Sequence, residues 1–190
     1  MKLQNKLLKK FIKEELWLHF SAINGQDENK MRNMIEKCLQ IYPIKSHSIA
    51  VETGTFHGLS ASLLAEYFDE VHTFEIKNGY VKDKMLCHKV WDYLGISSKI
   101  HFHLIENDKE KEEILKKLKW DFGWVDGNHS VGVKTDFELL NSCGRILFHD
   151  YNKEKAEKTK GMWKAVYDYV NTLKENIVEI DEPFVLWIKK

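Results

Sequence analysis

The stretch from Ser48 to Ser60, SIAVETGTFHGLS, constrains the fold more than any other part of the chain. A short apolar run ends in a carboxylate and passes through two glycines into LSASLLA, which has helical spacing and good helix formers. This order predicts a strand, a glycine turn and a helix. Glycine serves where the backbone takes positive φ or approaches a ligand closely, and a helix N-terminus presents N–H groups. A ligand with a carboxylate or ribose hydroxyls would fit against such a turn.

The glycine spacing separates two classes of cofactor site. A dinucleotide fingerprint has the form G-x-G-x-x-G. This chain instead has Glu52-x-Gly54-x-x-x-Gly58. The sequence therefore does not predict a pyrophosphate turn of the dinucleotide type. Taken alone, these three residues also fit an ordinary strand-to-helix turn that binds nothing.

An acidic residue lies near the end of the second predicted strand. The segment from Glu70 to Ile76 reads EVHTFEI, and Glu75 is its last acidic residue. A carboxylate that follows the glycine turn by about 20 residues, at the end of the next strand, is placed to accept hydrogen bonds from ribose hydroxyls. We predict this role for Glu75, and the alternative is a solvated glutamate at a strand end.

The third predicted strand carries two histidines. The segment from Lys99 to Ile105, KIHFHLI, alternates with a period of two. His101 and His103 share one face of this strand, and we interpret them as partly exposed strand positions rather than as ligands. The strand is followed by a polar turn, Glu106-Asn107-Asp108.

Two later strands each end in aspartate and histidine. The apolar run 122–125 leads to Asp126 and then to His129, and the predicted strand 145–148, RILF, leads to His149 and Asp150. Ligands of open parallel sheets bind at the carboxyl ends of the strands. The predicted catalytic residues are therefore Asp126, His129, His149 and Asp150. Aspartate–histidine pairs in hydrogen-bonded cores are the alternative explanation.

The alternation of predicted strands and helices indicates an α/β fold. The last two strands are joined at Pro183 by a link too short for a crossover helix, so they should pair antiparallel. We predict a Rossmann-like, seven-stranded, mainly parallel sheet with helices on both faces and an antiparallel last strand. The lysine-rich segment 153–160 is predicted as a loop.

The length of 190 residues suits one domain. We predict a single domain over residues 1–190, in which a helical cap, 1–45, precedes a Rossmann-like core, 46–190. Apolar residues recur at helical spacing from Leu7 to Leu16 and again from Glu28 to Leu39. These two helices either cover one side of the sheet or form a lid over the site.

Charge and cysteine content limit the partners. Lys+Arg and Asp+Glu number 29 each, so no net field would gather nucleic acid or an anionic membrane, and we expect a small-molecule substrate. Three widely spaced cysteines do not suit a disulfide framework. Lysines interrupt the apolar runs of the first 20 residues, so we expect neither a signal peptide nor a membrane span, and a cytoplasmic protein. A homo-oligomer is left open.

Three motifs together resemble one enzyme family. VETGTFHGLS, VDGNHS and ILFHDY are similar to motifs of small class I S-adenosylmethionine (SAM)-dependent methyltransferases of the "methyltransferase domain 24" type, relatives of macrocin O-methyltransferase. The resemblance runs from about Ile49 to the C-terminus and implies SAM as the methyl donor, with Asn107 as the adenine contact. The implied cofactor-binding residues are Glu52, Gly54, Thr55, Gly58, Ser60, Glu75, Asn107 and Asp126.

The same resemblance implies a divalent metal. In the cation-dependent members of the wider group, aspartates at two strand ends hold the ion, and these positions match Asp126 and Asp150. Mg²⁺ prefers oxygen ligands and would lower the pKa of an acceptor hydroxyl. The family pattern has Asp or Asn after the second aspartate, whereas this chain has Tyr151 and then Asn152.

A metal-free route would use a histidine as general base, either His129 or His149, since histidine titrates near operating pH. We favour the metal, because two facing carboxylates repel each other unless a cation or a proton lies between them.

Three functions fit these observations. The first is a SAM-dependent methyltransferase that O-methylates a small hydroxylated molecule or a sugar. The second is an NAD-type oxidoreductase on a similar fold, which the glycine spacing disfavours. The third is a non-catalytic nucleotide-binding protein, which four intact strand-end carboxylates disfavour.

Overall fold

Seven strands form one sheet in the computed structural model, which describes residues 25–44, 46–77, 84–127, 132–159 and 161–190. The strands are β1 Ile49–Thr53, β2 Glu70–Ile76, β3 Ile100–Ile105, β4 Phe122–Val125, β5 Arg145–Phe148, β6 Ile177–Asp181 and β7 Phe184–Ile188. The helices in these ranges are α1 Gly25–Ile41, α2 Leu59–Tyr67, α3 Lys84–Leu94, α4 Asp108–Leu115, α5 Gly132–Leu140, α6 Lys153–Lys158 and α7 Met162–Thr172.

The strand order confirms the predicted fold. The strands lie in the order β3-β2-β1-β4-β5-β7-β6. The first five pair parallel, while β7 runs antiparallel to both β5 and β6. The chain moves outward from β1 in one direction through β2 and β3, and in the other through β4 and β5. A crevice for a ligand is expected at the carboxyl ends of β1 and β4, where the winding reverses.

The strand register brings the predicted site residues to one edge of the sheet. Glu52 lies opposite Thr73 of β2, and Thr53 lies opposite Val125 of β4. The residues that follow β1, β4 and β5, and the last residues of β2, therefore meet at the carboxyl edge. The glycine turn begins at this edge, as the sequence indicated.

Apolar side chains pack on both faces of the sheet. One core joins α1, α2 and α3 to the sheet through residues such as Ile35, Leu64 and Trp91. The second core joins α4, α5 and α7 through residues such as Leu115, Phe137 and Val170. Helices on both faces were predicted, and the helical periodicity of the apolar residues is the reason they form there.

Helix α1 covers the sheet. Met34, Ile35 and Cys38 are almost fully buried and belong to the same core as the strands. This favours the covering role over the lid for the second predicted helix. The helix predicted around Leu7 to Leu16 lies outside the described residues, and the division of the domain at residue 45 stays a prediction.

One local prediction is wrong. The segment predicted as a lysine-rich loop contains α6, which spans Lys153–Lys158. Asn152 starts this helix, because its side-chain oxygen accepts a hydrogen bond of 2.8 Å from the Lys155 backbone N–H. Ala156 is buried, so α6 packs on the domain despite its charged sequence. None of the helices within the described ranges is both long and apolar enough to cross a membrane.

Candidate active site

The glycine turn is shaped by contacts within the protein. Gly54 has φ 85°, and a Cβ atom at this residue would lie 2.1 Å from the backbone oxygen of Asp126. Gly58 has φ 71°, and its Cβ would lie 2.7 Å from the Trp91 ring. The left-handed backbone and the close packing therefore require glycine at both positions. Gly54 in particular allows the ends of β1 and β4 to approach each other.

Glu52 is a fully buried carboxyl group beneath the turn. The Thr73 hydroxyl donates to its Oε2 at 2.6 Å, and the hydroxyls of Thr73 and Thr55 lie 2.6 Å apart. Burial raises the pKa of Glu52 to about 8, and the nearby hydroxyls of Ser60 and Thr73 oppose the rise. Its Oε1 is buried and has no hydrogen-bond partner among the described residues.

These contacts place two of the predicted cofactor residues. The Thr55 side chain is buried and holds the Glu52–Thr73 network, so its part in the site is indirect. Ser60 is half-buried in the first turn of α2. The partner that sequence reasoning missed is Thr73. It lies directly across from Glu52 because β1 and β2 are parallel and in register.

Glu75 lies beside the glycine turn. Its Oε2 accepts the Phe56 backbone N–H at 2.9 Å, and its Oε1 accepts the Ile76 N–H at 3.0 Å. Each oxygen of a carboxylate offers roughly two acceptor positions, so Glu75 retains acceptor capacity for further donors. The side chain is half-buried and is fixed in orientation by these two N–H groups.

Asp126, His149 and Asp150 converge at the ends of β4 and β5. His149 Nδ1 lies 2.8 Å from Asp126 Oδ1 and 3.6 Å from Asp150 Oδ1. One ligand atom from each residue lies within 4.8 Å of the others, so the two carboxylates meet as the sequence predicted. The His149 ring stacks on Phe184 with centroids 5.0 Å apart, which holds the imidazole in place.

Asp150 has an unusual backbone conformation. Its φ of 61° lies in the left-handed region, which few residues other than glycine adopt, and its side chain is only 9% exposed. The next residue, Tyr151, donates its backbone N–H to the Pro183 carbonyl at 3.0 Å. Left-handed conformations of non-glycine residues cluster at functional sites, which is consistent with a role for Asp150.

The other predicted residues have separate positions. Asn107 caps α4, because its side-chain oxygen accepts the Glu110 backbone N–H at 3.2 Å. Asn152, one position beyond the Tyr151 that departs from the family pattern, caps α6. The third residue of the group with Asp126 and Asp150 is therefore His149 and not Asn152. His129 lies outside the described residues.

A buried ion pair lies against Gly127, in the loop after β4. Lys111 of α4 contacts Asp136 of α5, and its Nζ also lies 2.9 Å from Asp108 Oδ1. Lys111 and Asp136 are each at most 4% exposed. A Cβ atom on Gly127 would lie 2.5 Å from Asp136 Oδ2, so the pair lies directly against this loop. Sequence reasoning missed it because Lys111 belongs to a charged run typical of a solvated helix.

The structure resembles solved methyltransferases. No protein-family model matches the chain, and no curated protein matches it in sequence. The O-methyltransferase from Bacillus cereus, in complex with SAH (S-adenosylhomocysteine), superposes with a TM-score of 0.71 at 12% identity, covering 97% of this chain and 91% of that chain. The O-methyltransferase TomG from Streptomyces achromogenes, in complex with SAM and involved in tomaymycin synthesis, gives 0.68 at 13% identity, covering 96% and 89%.

A methyltransferase from Geobacter sulfurreducens gives a TM-score of 0.63 at 11% identity and covers 97% of this chain and 87% of that chain. The chain has the methyltransferase fold. This likeness extends over almost the whole length of both partners, so the Rossmann-like sheet predicted from the sequence is confirmed.

Proposed function

We propose that the protein is a SAM-dependent methyltransferase that transfers a methyl group to an oxygen of a small hydroxylated molecule or a sugar. The observation that carries the proposal is the arrangement at the carboxyl edge of the sheet. Glu75 flanks the glycine turn on one side of β1, and the Asp126–His149–Asp150 group follows β4 and β5 on the other. A cofactor held at the first group would direct its reactive end toward the second.

The acidic residues fit the donors that SAM carries. Glu75 retains acceptor capacity beside a glycine turn, which suits two ribose hydroxyls. The unpartnered Oε1 of Glu52 suits a bound donor, such as the ammonium of the methionine end or a water that bridges to it. Gly54, Gly58 and Ser60 would lie beneath the methionine portion.

Two further contacts complete the proposed cofactor site. The Asn107 side-chain oxygen already caps α4, so its amide nitrogen would be the group that contacts the adenine. Asp126 directly follows β4 and would contact the cofactor where it meets the acceptor. Bound SAM would supply an electrophilic methyl group, and the protein's main contribution would be to align the acceptor oxygen with it.

Acceptor activation is assigned to the Asp126–His149–Asp150 group. These residues offer two carboxylate oxygens and one imidazole nitrogen within 4.8 Å, a donor set that fits Mg²⁺ or Mn²⁺. A bound ion would supply Lewis acidity that lowers the pKa of the acceptor hydroxyl. Without an ion, ionised Asp126 would accept the Nδ1 proton of His149, which leaves the lone pair on Nε2 and makes His149 the general base. His129 keeps its proposed part as the alternative base.

The proposed enzyme is of the domain 24 type and acts on a small-molecule acceptor. The sequence further indicates a cytoplasmic protein without nucleic-acid or membrane partners. Homo-oligomerisation is left open. What supports the reaction class is the likeness to proteins whose structures hold SAM or SAH, together with the strand-end carboxylates described above.

Calorimetry with SAH and with NAD⁺ on the purified chain tests the proposal. We expect one SAH per chain and no binding of NAD⁺. Glu75→Gln should weaken SAH binding by roughly 1 to 3 kcal/mol, about 5- to 150-fold, because the ribose hydroxyls lose an ionised acceptor.

The matched control is Glu70→Gln, because Glu70 lies at the opposite end of the same strand. This variant should bind SAH like the unaltered protein. Binding of NAD⁺ in place of SAH would contradict the reaction class. SAH affinity unchanged in Glu75→Gln would contradict only the ribose assignment.

A further inference from the structure

A cluster of histidines lies at the amino end of β2 and β3, away from the site described above. Glu70 and His72 lie on β2, while His101 and His103 lie on β3. His72 pairs in register with His101, and Phe74 pairs with His103, so the cluster occupies one face of two parallel strands. Glu70 and Glu75 stand five positions apart on β2, which at the rise of a strand separates the two ends by roughly 16 Å.

Three side chains of this cluster converge. Glu70 Oε2 lies 3.4 Å from His101 Nε2 and 3.7 Å from His72 Nε2. One ligand atom from each of the three residues lies within 4.8 Å of the others. The rings of His72 and His101 stack with centroids 4.5 Å apart, which turns both imidazoles toward the same carboxylate.

His72 is the independent indication of a ligand. Its side chain is 9% exposed, and its Nε2 is buried without a hydrogen-bond partner among the described residues. Buried polar atoms in folded proteins are almost always paired, so such an atom calls for an explanation. The distance of 3.7 Å to Glu70 Oε2 is too long for a hydrogen bond, yet it suits two ligands of one ion.

We infer that Glu70, His72 and His101 bind a divalent transition metal of the zinc class. Zinc binds imidazole nitrogen and carboxylate oxygen at about 2.0 to 2.2 Å in tetrahedral geometry, which places two ligand atoms about 3.3 Å apart. The two separations to Glu70 Oε2 are close to this value. Three protein ligands leave a fourth position for water or a further group.

His103 is a positioning residue for this metal site. Its Nε2 lies 2.9 Å from His72 Nδ1. A histidine that binds a metal through one ring nitrogen usually donates its other N–H to a neighbour, which fixes the tautomer. With His72 Nε2 on the metal, His72 Nδ1–H donates to His103 Nε2, and His103 in turn stacks on Phe74.

One side of the candidate site is open to solvent. The side chains of His101 and Glu70 are 45% and 48% exposed, so an ion reaches the site from solvent. Both His101 and His103 are partly exposed strand positions, as interpreted from the sequence, and the inference adds a ligand role for His101.

Titration of the untagged, chelator-treated chain with Zn²⁺ alone tests the inference. Calorimetry should show a zinc site that persists in Asp126→Asn, which removes a ligand of the other candidate metal group. His101→Ala and Glu70→Gln should each weaken this site by roughly 100-fold, since even the loss of an outer partner costs about 10- to 100-fold. Both side chains are exposed, so both variants should fold. In the Asp126→Asn chain, Co²⁺ absorption should report nitrogen ligation, and adding His101→Ala should weaken that signal in step with Zn²⁺ affinity.

Variants of His103 test whether this residue orients His72 for metal binding or only packs against it. His103→Phe should weaken Zn²⁺ binding about 10- to 100-fold, because His72 loses the acceptor for its N–H. His103→Gln, which restores an amide oxygen, should recover most of that loss. The matched control is His88→Ala, because His88 is also exposed but packs its ring against Phe102 and Trp91, away from the cluster. It should bind Zn²⁺ unchanged.

Two results would overturn the inference. One is that the Asp126→Asn chain binds no Zn²⁺. The other is that His101→Ala and Glu70→Gln bind it as tightly as the unaltered chain. In either case the histidines are a neutral, packed cluster that only stabilises the edge of the sheet.

Discussion

Gly54 makes the clearest single-residue prediction, because two separate effects forbid a side chain there. Its φ of 85° is left-handed, and a Cβ atom would lie 2.1 Å from the Asp126 backbone oxygen. Gly54→Ala should therefore lower the free energy of unfolding by roughly 2 to 5 kcal/mol, from backbone strain plus overpacking. Urea unfolding of the purified variant measures the change.

Gly95→Ala provides the control for this prediction. Gly95 has a similar φ of 68°, but its Cβ would have no neighbour within 4 Å. It carries the backbone strain without the clash, so the loss should be only about 1 to 2 kcal/mol. Equal losses in the two variants would mean that β1 and β4 do not approach each other as described.

Asp150 tests the proposed metal of the active site. Mn²⁺ alone should bind the chain, and Asp150→Asn should weaken its binding by roughly tenfold or more, because one of two carboxylate ligands is lost. Asparagine tolerates the left-handed φ of 61°, so the backbone should be retained. Paramagnetic resonance of free Mn²⁺ measures the affinity, and SAH binding should be unchanged.

Glu113→Gln is the control for Asp150→Asn, since Glu113 is exposed on α4 and belongs to neither candidate metal group. A chain that does not bind Mn²⁺ would favour His149 as the general base. The rate of methyl transfer should then be insensitive to chelator and should rise with pH, because the base must be neutral to accept a proton.

At the scale of single elements, periodicity predicted most strands and helices. The strands β4 and β7 begin and end where the apolar runs do, and β5 begins one residue earlier, at Arg145. A strand buried on both faces reads as a continuous apolar segment. Helix α6 was missed, because its apolar face is a single alanine and its first turn depends on the Asn152 cap. A single capping residue is a weak sign of a helix in a segment whose composition is typical of a charged loop.

The contact between helices α4 and α5 was also not predicted from the sequence. Lys111 lies in a run of charged residues, yet it is buried against Asp136. Whether a charged residue faces solvent depends on how the helix docks, and the docking is set by Ile114 and Leu115 against the second core. The sequence supplies this apolar stripe, but it does not indicate which charges a neighbouring helix will cover.

At the scale of the whole molecule, parallel strands explain why the candidate site could be predicted. Residues 52, 75, 126 and 150 are far apart in sequence, but the ends of neighbouring parallel strands meet at one edge of the sheet. The histidine cluster at the other edge was not predicted, because it depends on the register that pairs His72 with His101. Alternation places residues on a face, whereas register decides which ones meet.

The stability of the whole fold should depend on the proton of Glu52. Its pKa rises from 4.5 to about 8 in the folded chain. Between these values the folded state binds the proton more than the unfolded state does, so the free energy of unfolding falls as pH rises. His72 and His103 have lowered pKa values and act in the opposite direction up to slightly above pH 6.5, so the effect of Glu52 is taken as the difference from Glu52→Gln between pH 6.5 and 8. Across this window the unfolding free energy should drop by roughly 1 to 2 kcal/mol more in the unaltered chain than in Glu52→Gln. Urea unfolding at both pH values measures the difference, and Glu113→Gln, at an exposed position of α4, should keep the full drop. Equal slopes of unfolding free energy against pH for Glu52→Gln and the unaltered chain would mean that Glu52 is ionised in the folded state throughout the window. In that case Oε1 of Glu52 has a partner in solution that stabilises the charge.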